Sequence, residues 1–215
     1  MEALKIPMTQ PVTDVTGMTE KMNSVREYLK QTFDESLAAK QKFFLESQDE
    51  ILRACEVISS ALKQGNKLMI CGNGGSAADA QHMAAEMIGR MLIERSPLPA
   101  LALTTDTSNL TAVANDYSFE AVFEKQVQGL GRRGDALLCI STSGNSKNVI
   151  RAAEAARLAG IQVVSMTGGS GGKLKELSEV NLNVSGGKNS SRIQETHIFI
   201  VHSLVDLMDR FYLKG

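Results

Sequence analysis

The residues with the clearest capacity for chemistry are His82 and Glu86, which lie four positions apart and so share one face of a helix. They follow a glycine-rich turn, residues 72–75, that comes directly after the apolar run 68–71. A strand, a glycine turn and a helix N-terminus direct free backbone N–H groups and the helix dipole at one point. Ser76 is expected to cap this helix, and Ser108 is expected to cap a later short helix that runs through Ala114. An anion cradle beside an imidazole and a carboxylate predicts chemistry on a phosphorylated small molecule.

A second anion site is predicted at residues 141–146, which read Ser-Thr-Ser-Gly-Asn-Ser and follow the apolar run 136–140. Three serine hydroxyls, one threonine and a helix start supply neutral donors, which suit a phosphate that must bind and leave. The Walker pattern GxxxxGK[ST] does not occur in the sequence. An ordinary polar turn is the alternative, but two such loops at equivalent strand ends favour phosphate binding.

The chain has only three histidines, and two of them lie on the last predicted helix. His197 and His202 are five residues apart, so they point about 140° apart and only one can readily face the site. Gln194 shares a face with His202, at an angle of about 80°. If this helix packs against the helix of His82 and Glu86, two imidazoles, a carboxylate and an amide oxygen converge. Such a set can hold a divalent ion such as zinc, although each histidine alone is equally compatible with an ordinary core or surface position.

Four further polar residues carry weaker signals. Asp79 and Glu195 are candidates for the same site, but solvated helix charges are their default interpretation. Asn115 and Asp116 have the chemistry of turn formers. From their residue types alone, none of the four is assigned to the site.

The elements that must position these residues alternate between strand and helix. This order predicts an α/β fold with a doubly wound, flavodoxin-like parallel sheet, in which ligands bind beyond the carboxyl ends of the strands. Two amphipathic helices, with stripes beginning near Met22 and Ile51, precede the sheet and either cover one face of it or pack against another subunit. Residues 1–20 are expected to form a flexible arm, and residues 21–215 a single domain. The five predicted strands are 68–71, 100–103, 136–140, 161–166 and 180–184.

Composition limits the classes of partner. The formal net charge is −1, with basic residues scattered, so neither nucleic acid nor an anionic membrane is indicated. No apolar run approaches the roughly 18 residues of a membrane-spanning helix. The start of the chain has no apolar segment typical of a secretion signal. The three cysteines, Cys55, Cys71 and Cys139, are expected to be buried thiols of a cytosolic protein.

Three stretches resemble signature sequences of the sugar isomerase (SIS) domain family: CGNGGSAADAQHMAAEMIGR, ISTSGNS and RIQETHIFIVH. The similarity runs from about residue 22 to about residue 211, and is closest to the branch that acts on sedoheptulose 7-phosphate. It implies an aldose–ketose isomerase that forms glycero-manno-heptose 7-phosphate through an enediol, the first step of ADP-heptose biosynthesis for lipopolysaccharide. It also implies one zinc ion per subunit and a cytosolic homotetramer with active sites between subunits.

The resemblance also assigns roles to individual positions. Glu86 and His202 match the acid–base pair of the family, and His82, Glu86, Gln194 and His202 match its zinc ligands. Glu86 and Gln194 also match substrate contacts. One position departs from the family, because Ser191 stands where an aspartate often precedes the Arg-Ile-Gln run. The other positions that match substrate-binding residues are Asn73, Gly74, Gly75, Ser76, Asn115, Asp116, Ser141, Thr142, Ser143 and Ser146.

A non-catalytic function is the alternative. Some relatives with this fold are binding modules, such as a replication initiator-associating protein and regulators that sense sugar phosphates. The resemblance suggests that the initiator-binding relative lacks both the acid and the histidine. This chain has Glu86 and His202, so an enzyme is favoured.

Overall fold

The core of the protein is a five-stranded, fully parallel sheet with strand order β2-β1-β3-β4-β5. A computed structural model describes the backbone of residues 15–213 and the side chains of residues 20–213. The sheet confirms the predicted doubly wound α/β class, and each strand lies within two residues of its predicted bounds. The strands are β1 Leu68–Gly72, β2 Ala100–Ala102, β3 Ala136–Ser141, β4 Gln162–Gly168 and β5 Val180–Val184.

The described residues contain eight α-helices in addition to the sheet. The chain divides into two compact units after Asp34, and the whole sheet lies in the second, Glu35–Gly215. A short 3-10 turn, Phe119–Ala121, precedes α5, and a π-helical turn, Met208–Tyr212, follows α8. The helices are α1 Val15–Glu46, α2 Gln48–Lys63, α3 Gly75–Ile88, α4 Thr107–Asp116, α5 Val122–Leu130, α6 Lys147–Leu158, α7 Gly172–Leu177 and α8 Ser190–Leu207.

The first helix begins earlier than the sequence predicts. Residues 15–20, expected to belong to a flexible arm, form the first turns of α1, and the rest of the predicted arm lies outside the described residues. Pro11 is the last proline before α1, and residues 15–46 contain none, so every residue of this helix has a backbone N–H. The single Gly17 costs a helix only about 1 kcal/mol relative to alanine.

Alternate side chains of the strands enter two separate cores. Leu68 and Ile70 lie in the core between the sheet and α2, α3 and α8. Met69 and Cys71 lie in the opposite core, beneath α5, α6 and α7. Because both faces of the sheet are covered, the central strands are continuous apolar runs with no polar alternation.

The cysteines have the environment that composition predicts. Cys55, Cys71 and Cys139 are all buried and free. Cys71 and Cys139 are in register on neighbouring strands, with their sulfur atoms 3.9 Å apart. Among the residues the structure describes, no helix is long and apolar enough to cross a membrane.

The strand order reverses between β1 and β3. From β1 the chain moves outward to β2 and then returns to the other side of β1 as β3. The register pairs Gly72 with Ile140, so the loops that follow these two strands open at the same edge of the sheet. In open α/β sheets this switch point is where ligands bind. The two predicted anion loops therefore lie side by side.

Candidate active site

The glycine loop after β1 turns directly into α3. Gly74 has φ +58° and occupies the N-cap, so the helix begins at Gly75. The prediction that Ser76 caps the helix is wrong, because the left-handed glycine turns the chain two residues sooner. Ser76 is buried in the first turn instead. A Cβ on Gly72 would lie only 2.7 Å from the Ser76 carbonyl oxygen, so the loop requires glycine there.

The serine loop after β3 brings its hydroxyl groups together. The Oγ atom of Ser141 lies 2.9 Å from that of Ser146 and 3.5 Å from that of Ser143. Ser146 occupies the N-cap of α6, yet its side chain makes no capping bond. Its hydroxyl is therefore not committed to the helix backbone. Three hydroxyls at a helix N-terminus form a group of neutral donors suited to a phosphate.

One residue that the sequence did not single out joins the two loops. Asn148, buried in the first turn of α6, exchanges two hydrogen bonds with Asn73, each 2.9 Å long. Sequence pattern offered no signal for it, because an asparagine early in a helix is common near a cap. The pair fixes the side chain of Asn73, a predicted substrate contact, against the serine loop.

A cavity of about 350 Å³ lies beside the serine loop. Two of the loops that line it follow β4 and β5, and the sequence predicted no role for either, although both contain glycine and serine. They supply polar groups next to Ser143 at the sheet edge where β4 and β5 end. The cavity is lined by Thr142, Ser143, Gly168, Gly169, Ser170, Gly187, Lys188, Asn189, Ser190 and Ile193.

The histidine–glutamate group assembles where α3 and α8 meet. The Nε2 atom of His82 lies 3.1 Å from Oε1 of Glu86 and 3.2 Å from Nε2 of His202. Oε1 of Glu86 is 3.8 Å from Nε2 of His202. The last helix does pack against α3, which is the condition under which the sequence predicted that these residues converge. These three side chains face one another across the two helices.

The chemistry of this group suits a cation. The ligand atoms of His82, Glu86 and His202 all lie within 4.8 Å of one another. In the tautomers with an unprotonated Nε2, the two imidazoles and the carboxylate oxygen direct lone pairs toward a common region, which is an arrangement suited to a cation. Oε2 of Glu86 is buried without a hydrogen-bond partner among the described residues. Two imidazoles and a carboxylate are a donor set that Zn²⁺ accepts.

Gln194 reaches the start of α3 from the opposite helix. A Cβ on Gly75 would lie 2.6 Å from Nε2 and 2.9 Å from Oε1 of Gln194. The amide therefore packs against the glycine loop, where any larger residue at position 75 would displace it. This contact places Gln194 beside the helix that carries His82 and Glu86.

The two acidic residues with weaker signals differ in environment. Burial raises the pKa of Asp79 to about 6, opposed by the charges of His82 and His202. Oδ2 of Asp79 is buried without a partner among the described side chains, so this carboxyl is not the solvated charge expected. Glu195 forms an ion pair of 2.9 Å with Arg192 through Oε1, while its Oε2, like Oδ2 of Asp79, is buried without a partner among the described residues.

Asn115 and Asp116 occupy the last turn of α4 and not a separate turn after it. The cap of α4 also differs from expectation, because Asp106 accepts the N–H of Asn109 where Ser108 was expected to cap. Asn115 donates to Asp116 over 2.9 Å, and both residues are exposed. Across the described chain, no hydrogen bond or ion pair joins these two side chains to the histidine–glutamate group.

His197 has a structural role, as expected if only one histidine of α8 faces the site. It is fully buried, and its Nε2 lies 3.1 Å from the carbonyl oxygen of Thr167 at the end of β4. Burial lowers the pKa of His197 to about 4, although the hydrogen bond to Thr167 opposes this shift. The neutral imidazole therefore links α8 to the sheet.

This buried imidazole predicts acid sensitivity. The pKa of His197 is about 4 in the folded chain and near 6.5 in the unfolded chain, so the unfolded chain binds more protons between these values. The contribution of the neutral His197 to the free energy of unfolding is fully present above pH 6.5. It falls by up to about 3 kcal/mol as the pH falls to about 4. His197→Gln keeps a donor for Thr167 and should flatten this dependence in urea unfolding at pH 7 and pH 5. An equally steep loss in the variant would contradict this assignment.

Comparison with known proteins identifies the family. Residues 31–168 match the model of the SIS domain. The chain is 48% identical to the phosphoheptose isomerase of Campylobacter concisus over 86% of this chain and 98% of that protein. It is 47% identical to the phosphoheptose isomerase of Neisseria meningitidis over 90% of this chain and 100% of that protein.

Solved structures agree with these relatives. The phosphoheptose isomerase from Neisseria gonorrhoeae superposes with a TM-score of 0.81 at 46% identity, covering 86% of this chain and 98% of that one. The enzyme from Francisella tularensis gives a TM-score of 0.83 at 39% identity over the same shares of both chains. All four relatives are isomerases, so these comparisons give no support for a non-catalytic binding module. The chain belongs to the phosphoheptose isomerases, a branch of the SIS domain family.

Proposed function

We propose that this isomerase interconverts sedoheptulose 7-phosphate and glycero-manno-heptose 7-phosphate, the first step of ADP-heptose biosynthesis for lipopolysaccharide. The observation that supports this most directly is the convergence of His82, Glu86 and His202 where α3, the helix that begins at the glycine loop, meets α8. An aldose–ketose isomerisation moves a proton between C1 and C2 through an enediol. It needs a base at the carbon atoms and a proton carrier at the oxygen atoms.

The two loops bind the substrate away from the reacting carbons. Ser141, Thr142, Ser143 and Ser146 donate to the phosphate, supported by the close approach of three of their hydroxyls. Residues 73–76 hold the sugar through backbone N–H groups and the Asn73 side chain, and Gln194 reaches the same loop. Asn115 and Asp116 are further substrate contacts, assigned by the family resemblance.

Glu86 and His202 carry the protons. Glu86 takes the proton from carbon, since its side chain is only 15% exposed and its Oε1 lies 3.8 Å from Nε2 of His202, the proposed proton carrier at the oxygen atoms. His202 exchanges protons with the substrate oxygens, a role for which imidazole is suited near neutral pH.

His82, Glu86, Gln194 and His202 are the residues that would hold a metal ion at this site, and the ligand atoms of the first, second and fourth lie within 4.8 Å of one another. When bound there, zinc supplies Lewis-acid polarisation of the substrate carbonyl and stabilises the charge of the enediolate. Glu86 has two oxygens with different surroundings: Oε1 faces His82, and Oε2 has no partner among the described side chains. Oε1, which lies 3.1 Å from Nε2 of His82 and 3.8 Å from Nε2 of His202, is the oxygen that would bind the metal.

The active form is a cytosolic homotetramer with sites between subunits. In the single chain His82 and His202 are each 46% exposed, more than an enclosed isomerase site allows. The first helix also exposes large apolar side chains, including Leu29 and Phe33. Buried free thiols suit the reducing cytosol. Sedimentation as a monomer at assay concentration would contradict the assembly.

The test is an assay of the purified protein with sedoheptulose 7-phosphate, before and after chelation, with zinc content measured in parallel. We expect an aldose product, a loss of about 100-fold or more in kcat after chelation, and recovery with added zinc. No turnover with zinc present would overturn the reaction. Full turnover in demonstrably metal-free protein would overturn the metal site alone.

A further inference from the structure

Arg95, in the loop between α3 and β2, contacts α3, which carries Glu86, and the π-helical turn that continues α8, which carries His202. Its Nε donates to Oδ1 of Asp209 over 2.8 Å, and its Nη2 donates to the backbone carbonyl of Glu86 over 2.9 Å. The last backbone carbonyls of a helix, such as that of Glu86, accept no N–H from within the helix, and here the guanidinium supplies a donor. Its Nη1 donates to the carbonyl oxygens of Met87, Gly89 and Ser96.

Asp209 connects the same guanidinium to the second helix. It lies in the π-helical turn that continues α8, seven positions, or about two turns, after His202. The side chains of Arg95 and Asp209 are only 14% and 2% exposed. A buried guanidinium has a rigid, planar set of donors, so it fixes the positions of all its partners at once.

We infer that Arg95 and Asp209 are positioning residues that hold α3 against α8 at the spacing the reaction requires. The inference rests on the proposed roles of Glu86 and His202. Arg95 bonds the main chain of Glu86 itself, and Asp209 belongs to the continuation of the helix that carries His202. The separation they maintain is the 3.8 Å between Oε1 of Glu86 and Nε2 of His202. Neither residue touches the substrate.

The test compares Arg95→Lys with Arg210→Lys. Lysine keeps the charge beside Asp209, but one ammonium cannot also reproduce the forked donors to the Glu86 carbonyl. Arg210 is the matched control, because it forms an exposed pair with Asp206 in the same C-terminal region. The measurements are kcat, KM, the zinc dissociation constant, the visible spectrum of the cobalt-substituted protein and the thermal midpoint.

We expect Arg95→Lys to lower kcat about tenfold and raise the zinc dissociation constant about tenfold, with KM changed less than about twofold. The cobalt spectrum should shift, since it reports ligand geometry, while Arg210→Lys stays like the parent in every measurement. Asp209→Asn keeps an acceptor for Arg95 and should change the same quantities in the same direction by less. If Arg95→Lys does not fold, the measurements on Asp209→Asn test the positioning role.

The inference would be overturned if Arg95→Lys and Asp209→Asn both lowered the thermal midpoint but left kcat, zinc affinity and the cobalt spectrum unchanged. Arg95 and Asp209 would then form a purely structural ion pair. Failure of the proposed function looks different, because the parent protein would then show no isomerisation. Zinc affinity and the cobalt spectrum would still decide the positioning role in that case. If the parent bound no metal but turned over substrate, the separate effects on kcat and KM would decide it.

Discussion

Replacing Glu86 by glutamine is expected to lower kcat by about 10³-fold, within the range that a positioned acid–base group contributes. Glutamine has nearly the same shape and keeps an oxygen that can accept a hydrogen bond from His82, whose Nε2 lies 3.1 Å from Oε1 of Glu86 in the parent protein. It cannot take a proton from carbon. Binding of the phosphate end should persist, so KM changes little and the loss falls on the chemical step.

The folded state should tolerate this change. Oε2 of Glu86 is already buried without a partner among the described residues, so neutralising it removes a buried charge and creates no cavity. Kinetics with sedoheptulose 7-phosphate and a thermal melt are the measurements. Glu94→Gln, in an exposed pair with Arg90, is the control and should behave like the parent. A Glu86→Gln variant that keeps a tenth or more of kcat removes Glu86 as the base.

Much of this site could be predicted because its signals are local. Strands covered on both faces are continuous apolar runs, and a glycine or serine loop directly after such a run must lie at the carboxyl edge of the sheet. The four-residue spacing of His82 and Glu86 fixes their common face in the same way. Helix geometry predicted that only one of His197 and His202 faces the site, the family resemblance assigned His202, and the burial of His197 at Thr167 agrees with that assignment.

The errors concern the ends of helices, where several polar residues compete for one role. Ser76 and Ser108 both have good cap chemistry, yet Gly74 and Asp106 occupy the caps. At Gly74 the left-handed backbone decides, and at Asp106 a carboxylate accepts the Asn109 N–H. Such competition depends on the path of the preceding loop, which residue types do not specify.

Long-range polar contacts could not be predicted at all. Asn148 pairs with Asn73 across 75 positions, and Arg95 pairs with Asp209 across 114. Their sequence neighbourhoods have no periodicity that distinguishes them from ordinary surface residues. Only the packing of helices at the sheet edge brings each pair together, so these residues emerge from the three-dimensional structure alone.

His202→Asn is expected to lower kcat by about 10²- to 10³-fold, since asparagine cannot exchange protons near neutral pH. The side chain is 46% exposed, so the thermal midpoint should change little. The substitution also removes a proposed metal ligand, so a loss of activity alone does not distinguish the two roles. Zinc content and kcat must be measured together, at increasing zinc concentration.

His82→Asn supplies the comparison that separates proton transfer from metal binding. The Nε2 atoms of His82 and His202 lie 3.2 Å apart, and each histidine contributes one imidazole to the histidine–glutamate group. Only His202 is proposed to carry protons, so saturating zinc should restore much of the kcat of His82→Asn and little of that of His202→Asn. Equal recovery in both variants would make His202 a ligand without an acid–base role. Because the two imidazoles are equally exposed, a difference in recovery reflects chemistry and not solvent access.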